Sequence, residues 1–203
     1  RDDVESRGLG DVYKRQNVIA MDGTNWFSSF TIDKGSKEGI KKGMNVIAGS
    51  GLVGIVTDVG PNFAKVRSII DDSSNVSSMV LTTKDNFNVG GSLKSMNQDK
   101  VLPFTELRDE DDKVKVGDPV VTSYVSDQYQ EGILIGYIAS IEKNANNLTK
   151  SGTITPVVDF QHLREVLVIT TLKDTGEKEL SSQKASDTQA ETQDNTETQK
   201  SQE

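Results

Sequence analysis

Between residues 17 and 172 the chain is a succession of short runs rich in Val, Ile, Thr and Phe, cut at close intervals by Gly, Asn, Asp and Pro. Alternating or continuous apolar runs of this length bounded by turn residues read as β-strands. Twelve are expected, at 17–22, 27–33, 44–49, 52–59, 64–70, 76–83, 87–95, 100–106, 118–125, 133–143, 151–159 and 165–172. Helical periodicity is nearly absent. Ser36–Ile40 and Phe160–Arg164 each have room for one turn. Many short, evenly spaced strands point to an all-β chain of barrels or sandwiches, not to alternating strands and helices.

The two ends lack both periods. Residues 1–16, RDDVESRGLGDVYKRQ, read as a non-native leader resembling a translated sequencing adapter, with a polar linker as the alternative; they are set aside from the fold expectation. Residues 173–203 hold four lysines and eight acidic residues among Gln, Thr and Ser, a net charge of −4. Such a segment has too little apolar surface to offset its ordering entropy, so a disordered, acidic tail is expected.

One local pattern occurs twice. Ile40-Lys41-Lys42-Gly43-Met44-Asn45-Val46-Ile47 followed by Gly51-Leu52-Val53-Gly54-Ile55-Val56 is echoed by Val114-Lys115-Val116-Gly117-Asp118-Pro119-Val120-Val121 followed by Gly132-Ile133-Leu134-Ile135-Gly136-Tyr137-Ile138. A Lys-x-Gly turn feeds an apolar strand whose partner begins at a glycine. Two copies and twelve strands give two small six-stranded β-barrels, assigned to 17–98 and 99–172, with strand exchange between them allowed for.

Composition narrows the function. A net charge of −8 disfavours a nucleic-acid partner, which needs clustered Lys and Arg. With no cysteine there is no disulfide framework and no thiolate metal site. No run approaches the ~18 apolar residues of a membrane span.

Residues 49–54, Gly-Ser-Gly-Leu-Val-Gly, match G-x-G-x-x-G after a strand, with Asp71 twenty positions after Gly51. A dinucleotide site needs a helix immediately after the glycines, because its N-terminus holds the pyrophosphate. Here Ile55-Val56-Thr57-Asp58-Val59 follows, and Gly60-Pro61 ends it. The expected element is a hairpin, strand 44–49 turning through Gly-Ser-Gly into strand 51–59, with no cofactor.

Catalytic and metal-ligating candidates are few. The single histidine, His162, has no nucleophile motif to serve. Asp109-Glu110-Asp111-Asp112 lacks the spacing and glycine of a calcium loop and reads, with Asp71-Asp72, as a solvated loop. No catalytic or metal residue is assigned, and the chain is taken as a non-enzyme. Trp26 and Phe27 suit either a core anchor or a partner contact, and Tyr124 and Tyr129 sit in a long loop where a binding surface is easily built. These four are the candidate partner-binding residues. A secreted two-barrel hydrolase of protease-like architecture, hinging on His162, and a generic extracellular adhesion module are the alternatives.

The residues resemble a known family in order along the chain: Val18-Ile19-Ala20, Trp26-Phe27, the long stretch Thr31–Met44, Gly51–Val56, Lys65-Val66, Ile70-Asp71, Val116–Ser123, Gly132–Gly136 and Pro156–Phe160. This set resembles the extracytoplasmic domain of the rod shape-determining MreC family, over roughly 17–172. Tyr124 stands where that family usually has Gly, and Gln130 where it often has Pro, which bears on the shape of loop 123–132. The resemblance implies two small β-barrels, one of them insertable into the other's strand order. It also implies a non-enzymatic scaffold of cell-wall elongation, linking the MreB cytoskeleton, through MreD and RodZ, to a class B penicillin-binding protein. Dimers or filaments, and a single-pass membrane anchor ahead of an extracytoplasmic domain, are implied as well.

Overall fold

The computed structural model describes residues 13–21, 28–109, 112–145 and 148–173. Twelve strands form: β1 Tyr13–Met21, β2 Ser29–Ile32, β3 Asn45–Ala48, β4 Gly51–Val59, β5 Ala64–Ser68, β6 Asn75–Val80, β7 Asn86–Gly90, β8 Leu102–Leu107, β9 Pro119–Thr122, β10 Leu134–Lys143, β11 Lys150–Pro156 and β12 Glu165–Ile169. Each overlaps one of the twelve expected runs. The expected acidic tail lies outside the described residues apart from Lys173.

Pairing closes these strands into two six-membered rings. The first runs β4-β3-β12-β1-β2-β5 and returns to β4; the second runs β10-β11-β8-β7-β6-β9 and returns to β10. Closure leaves no open sheet edge. The rings meet at one parallel pairing, Leu134 with Gly51. The second ring is continuous in sequence from β6 to β11 and sits between β5 and β12 of the first. The division at 98/99 is therefore corrected. β6 and β7 pair with β9 and β8, not with β1–β5, and β12 returns to the first ring between β3 and β1. Residues 13–16, set aside above, pair in register with β12 from Tyr13↔Ile169 to Gln16↔Val166, so they are part of the strand.

The internal echo is a duplication of backbone geometry. Gly43 and Gly117 both take positive φ, 88° and 94°. Gly43 N donates to Val56 O, and Val56 N donates back to Met44 O. Gly117 N donates to Ile138 O, and Ile138 N donates back to Asp118 O. Each ring then places a bulge at the matching position, between Leu52 and Gly54 of β4 and between Leu134 and Gly136 of β10. The bulged residues, Val53 and Ile135, are fully buried, and accept from Ile69 N and Val157 N.

The helix Leu93–Asp99, here α1, was not expected; the sequence reading ran strand 87–95 through its first turn. Gly90-Gly91 ends β7, and a side chain at Gly91 would strike Asp71 O. Ser92 then caps the helix, its Oγ accepting from Ser95 N at 3.2 Å, and Met96 is its buried residue. Ser36–Glu38 forms a single 3-10 turn as expected. Each ring is filled by its own strands: Phe30, Ile32, Val46, Leu52, Val66, Val166 and Val168 in the first, and Val76, Val89, Leu102, Phe104, Ile138 and Ile154 in the second. Phe87 and Phe104 meet with ring centroids 5.1 Å apart.

Candidate partner-binding surface

Loop 123–133 carries two of the four candidate residues and treats them in opposite ways. Thr122 Oγ1 donates to Gln130 O at 2.5 Å and accepts from Ile133 N at 2.8 Å, which closes the loop's base. Ser126 Oγ accepts from Tyr129 N at 3.0 Å and turns that residue inward. Tyr129 is 3% exposed and belongs to the core, a correction to its assignment as a partner contact. Its burial pushes the phenol up to about 12, against the opposing pull of Arg67 on β5. Tyr124 is 54% exposed, as is Val125 beside it, and they form the loop's tip. Ser123 Oγ donates to Asn86 Oδ1, and Lys173 Nζ donates to Tyr124 O. Trp26 and Phe27 lie outside the described residues.

The loop also joins the rings. Asn45 on β3 is buried, and its Nδ2 donates to Gln128 O at 2.9 Å while its Oδ1 accepts from Gln130 N at 2.7 Å. Gln130 Nε2 reaches Thr171 O at 3.1 Å.

A second exposed apolar area was missed in the sequence. Tyr137 on β10 pairs with Pro119 on β9, and Leu81 N, just past β6, donates to Pro119 O. Register therefore sets Tyr137, Pro119 and Leu81 side by side on one face, with Tyr137 45% and Leu81 43% exposed. Tyr137 and Leu81, exposed side by side across Pro119, make this face a candidate contact surface. The signal was the run Gly136-Tyr137-Ile138, an aromatic between two buried positions.

The remaining polar clusters are structural. Asp109 is not a solvated loop residue. Its side chain is 2% exposed and pairs with Lys150 Nζ at 2.6 Å, while Lys150 also reaches Asp112 Oδ1 at 2.5 Å. Asp109 further accepts from Lys113 N at 2.8 Å and Val114 N at 3.1 Å, pinning the approach to the second Lys-x-Gly turn. Burial alone would raise the Asp109 carboxyl, but the hydrogen bonds from Lys150 and from those two backbone N–H groups hold it below its ordinary value. Burial likewise would lower Lys150, and the two carboxylates raise it instead.

His162 Nδ1 lies 2.7 Å from Asp159 Oδ2, both side chains exposed to solvent. The His162 hydrogen bond, with Gln161 N on the other oxygen, lowers the Asp159 carboxyl. The adjacent hollow of about 300 Å³ offers one hydroxyl, Thr155, and no serine among its lining residues. This pair has the orienting half of a catalytic triad and no activated nucleophile beside it. Among the described residues no cluster of three or more His, Asp or Glu side chains is placed to hold a metal, and no helix is long and apolar enough to cross a membrane.

Comparison with known proteins adds to this geometry. The family described as rod shape-determining protein MreC, barrel core, matches residues 18–170. The cell shape-determining protein MreC of Listeria monocytogenes is 34% identical over 155 residues, covering 75% of this chain and 52% of that protein. The chain spans about half the length of the curated relatives it matches. A solved MreC structure from Listeria monocytogenes is 30% identical, with a TM-score of 0.69 and coverage of 84% of this chain and 87% of that one. A structure described as a complex between Penicillin-Binding Protein (PBP2) and MreC from Helicobacter pylori shares the fold, with a TM-score of 0.59 at 13% identity, covering 78% of this chain and 98% of that one.

Proposed function

Because the chain belongs to the MreC family of rod shape-determining proteins, we propose that it is a non-enzymatic scaffold of the cell-wall elongation machinery. In this reading its barrels engage a class B penicillin-binding protein. On the other side, MreD and RodZ connect the whole protein to MreB. The Helicobacter pylori neighbour, solved together with a penicillin-binding protein, is the observation that carries the partner class. The double barrel works outside the membrane on a single-pass anchor and self-associates into dimers or filaments.

The contact surface is the apolar face of the second ring, Tyr137, Pro119 and Leu81, with the Tyr124–Val125 tip as a second element. Buried aromatic anchors such as Tyr dominate such interfaces, and the apolar residues around them exclude water. Removing one by charge substitution should weaken binding ~10-fold or more. The test is biolayer interferometry against the extracytoplasmic region of the cognate class B penicillin-binding protein. Leu81→Asp and Tyr137→Asp lose binding while far-UV circular dichroism and thermal midpoint hold. Undiminished binding by both variants would remove this face from the reading. Absence of any binding by the parent chain would remove the partner. A protease-protection assay on intact cells and spheroplasts tests the extracytoplasmic placement.

A further inference from the structure

The chain carries a net charge of −8, yet one end of the first ring is basic. The segment 33–44, between β2 and β3, crosses that end. On one side it is fastened to β1. Asn17 N and Nδ2 each donate to the Asp33 carboxylate at 2.9 Å, and Lys14 Nζ donates to Glu38 O. On the other side it is fastened to the β4–β5 turn, where Ser36 N donates to Gly60 O at 2.9 Å and Lys37 N to Pro61 O at 3.2 Å. Gly35 lies so close to this turn that a side chain there would come within 2.2 Å of Gly60 O. Ile40 is buried in the core. The segment is therefore a fixed cap on the ring.

The cap sorts its charges. Its two acids are held by the protein: Asp33 accepts from Asn17, and Glu38 Oε2 accepts from Gly35 N at 2.9 Å. Lys37, Lys41 and Lys42 are exposed and have no hydrogen bond or ion pair among the described residues. Lys34 stands half-buried near Asp33. Two exposed aromatic side chains border the lysines. The backbone of Phe63 packs on Gly35, and Tyr13 precedes Lys14 on β1.

Exposed lysines beside exposed aromatics on one rigid end suit an anionic bilayer. The ammonium groups meet phosphate, while the rings enter the boundary between headgroups and acyl chains. A soluble polyanion would use the lysines alone and leave both rings in water. Acidic residues elsewhere do not cancel the attraction, because at physiological ionic strength a charge's field fades over roughly 8 Å. We propose that this cap is a docking surface for the phosphate headgroups of an anionic lipid bilayer, with Lys37, Lys41 and Lys42 on the phosphates and Phe63 and Tyr13 at headgroup level. It shares no residue with the Leu81, Pro119 and Tyr137 face or with the Tyr124–Val125 tip. It rests on the proposed function only for a bilayer close by.

The experiment is co-sedimentation of the chain with large vesicles, made of phosphatidylcholine alone or with an equal share of phosphatidylglycerol. It needs neither a cell nor a penicillin-binding protein, so it can fail while the partner reading stands. The chain should sediment with the anionic vesicles and not with the neutral ones, and raised salt should release it. Each lysine near such a surface contributes about fivefold in partitioning, so the triple variant Lys37→Gln, Lys41→Gln, Lys42→Gln should bind about 100-fold more weakly with an unchanged thermal midpoint. The triple variant Lys84→Gln, Lys94→Gln, Lys115→Gln changes exposed lysines of the second ring's segment and shifts the net charge equally. It should bind as the parent does. The proposal is overturned if the parent stays in solution with anionic vesicles, or if the second-ring triple variant loses as much binding as the cap variant. It is also overturned if soluble polyphosphate, at the same phosphate concentration, binds the chain as tightly as the vesicles do.

Discussion

Asn45 of the first ring holds the backbone of the second ring's loop in both directions, giving an N–H to Gln128 O and taking one from Gln130 N. A single buried amide thus satisfies two backbone groups at the junction of two barrels. A leucine there would fill much the same space and satisfy neither.

Asn45→Leu is therefore expected to cost about 1–3 kcal/mol, the loss of two part-buried hydrogen bonds to the loop backbone. Hydrogen exchange at the Gln130 amide should accelerate well beyond that of Val46, whose environment in β3 is unchanged. A variant with the parent's thermal midpoint and a still-protected Gln130 would show that the parallel pairing of Leu134 with Gly51 joins the rings on its own.

The Asp109–Lys150 pair gives a second expectation. Removing one member of a buried pair leaves an uncompensated charge, so Lys150→Met should lower stability by about 3 kcal/mol. Asp109→Asn should do less, because its amide keeps an acceptor for Lys113 N. The pH dependence follows from the shift directions. The depressed Asp109 carboxyl contributes stability above its unfolded value near ~3.9, lost as pH falls through the lower folded value. The raised Lys150 contributes below ~10.4, lost as pH rises through its higher folded value. Urea titrations of parent and Lys150→Met should differ by a constant amount between those limits and converge outside them.

The strands were legible because β-branched runs ended by glycine, asparagine and aspartate leave few other conformations open to the chain. The duplication was legible too, since a Lys-x-Gly turn with positive φ recurs in both rings. Ring membership was not. Whether β6 and β7 pair with β5 or with β8 and β9 depends on contacts far apart in sequence, which the repeat and the strand count behind the 98/99 division do not report. The same blindness covers the candidate site. Tyr124 and Tyr129 look alike in the sequence, and only the Ser126 turn and the Asn45 clamp send one outward and the other into the core. Asp109 looked solvated because its partner lies 41 residues away.

The glycines of residues 49–54 make a prediction that separates barrel geometry from nucleotide binding. A side chain at Gly54 would come within 2.0 Å of Arg67 O on β5, and one at Gly136 within 2.2 Å of Thr155 O on β11. Both are backbone atoms that cannot yield without opening a ring. Gly54→Ala and Gly136→Ala should each cost about 3 kcal/mol or more, as overpacking does at its upper end. Gly49→Ala faces open space and only the strain of φ 58°, so about 1 kcal/mol is expected. Thermal melts order the three. In the same assay NADH and ATP should leave the parent's midpoint unmoved, and a saturable rise with either would reinstate the phosphate cradle.

Tyr129 offers a probe of loop closure that needs no partner. Its phenol is pushed up to about 12 because the charged form would have to be buried. An unfolded tyrosine titrates near ~10. The folded state thus binds one more proton than the unfolded state between those values. Stability tied to Tyr129 is fully present below pH ~10 and falls as pH rises toward 12, by up to about 2–3 kcal/mol. Tyr129→Phe keeps the ring and removes the ionisation. Its unfolding free energy should decline less steeply than the parent's above pH 10, and the phenolate absorbance step near pH 12 should disappear. Asn45→Leu, by loosening the loop around Gln130, should move that absorbance step downward in an otherwise folded protein. If it stays near 12, Ser126 alone is enough to hold Tyr129 in the core.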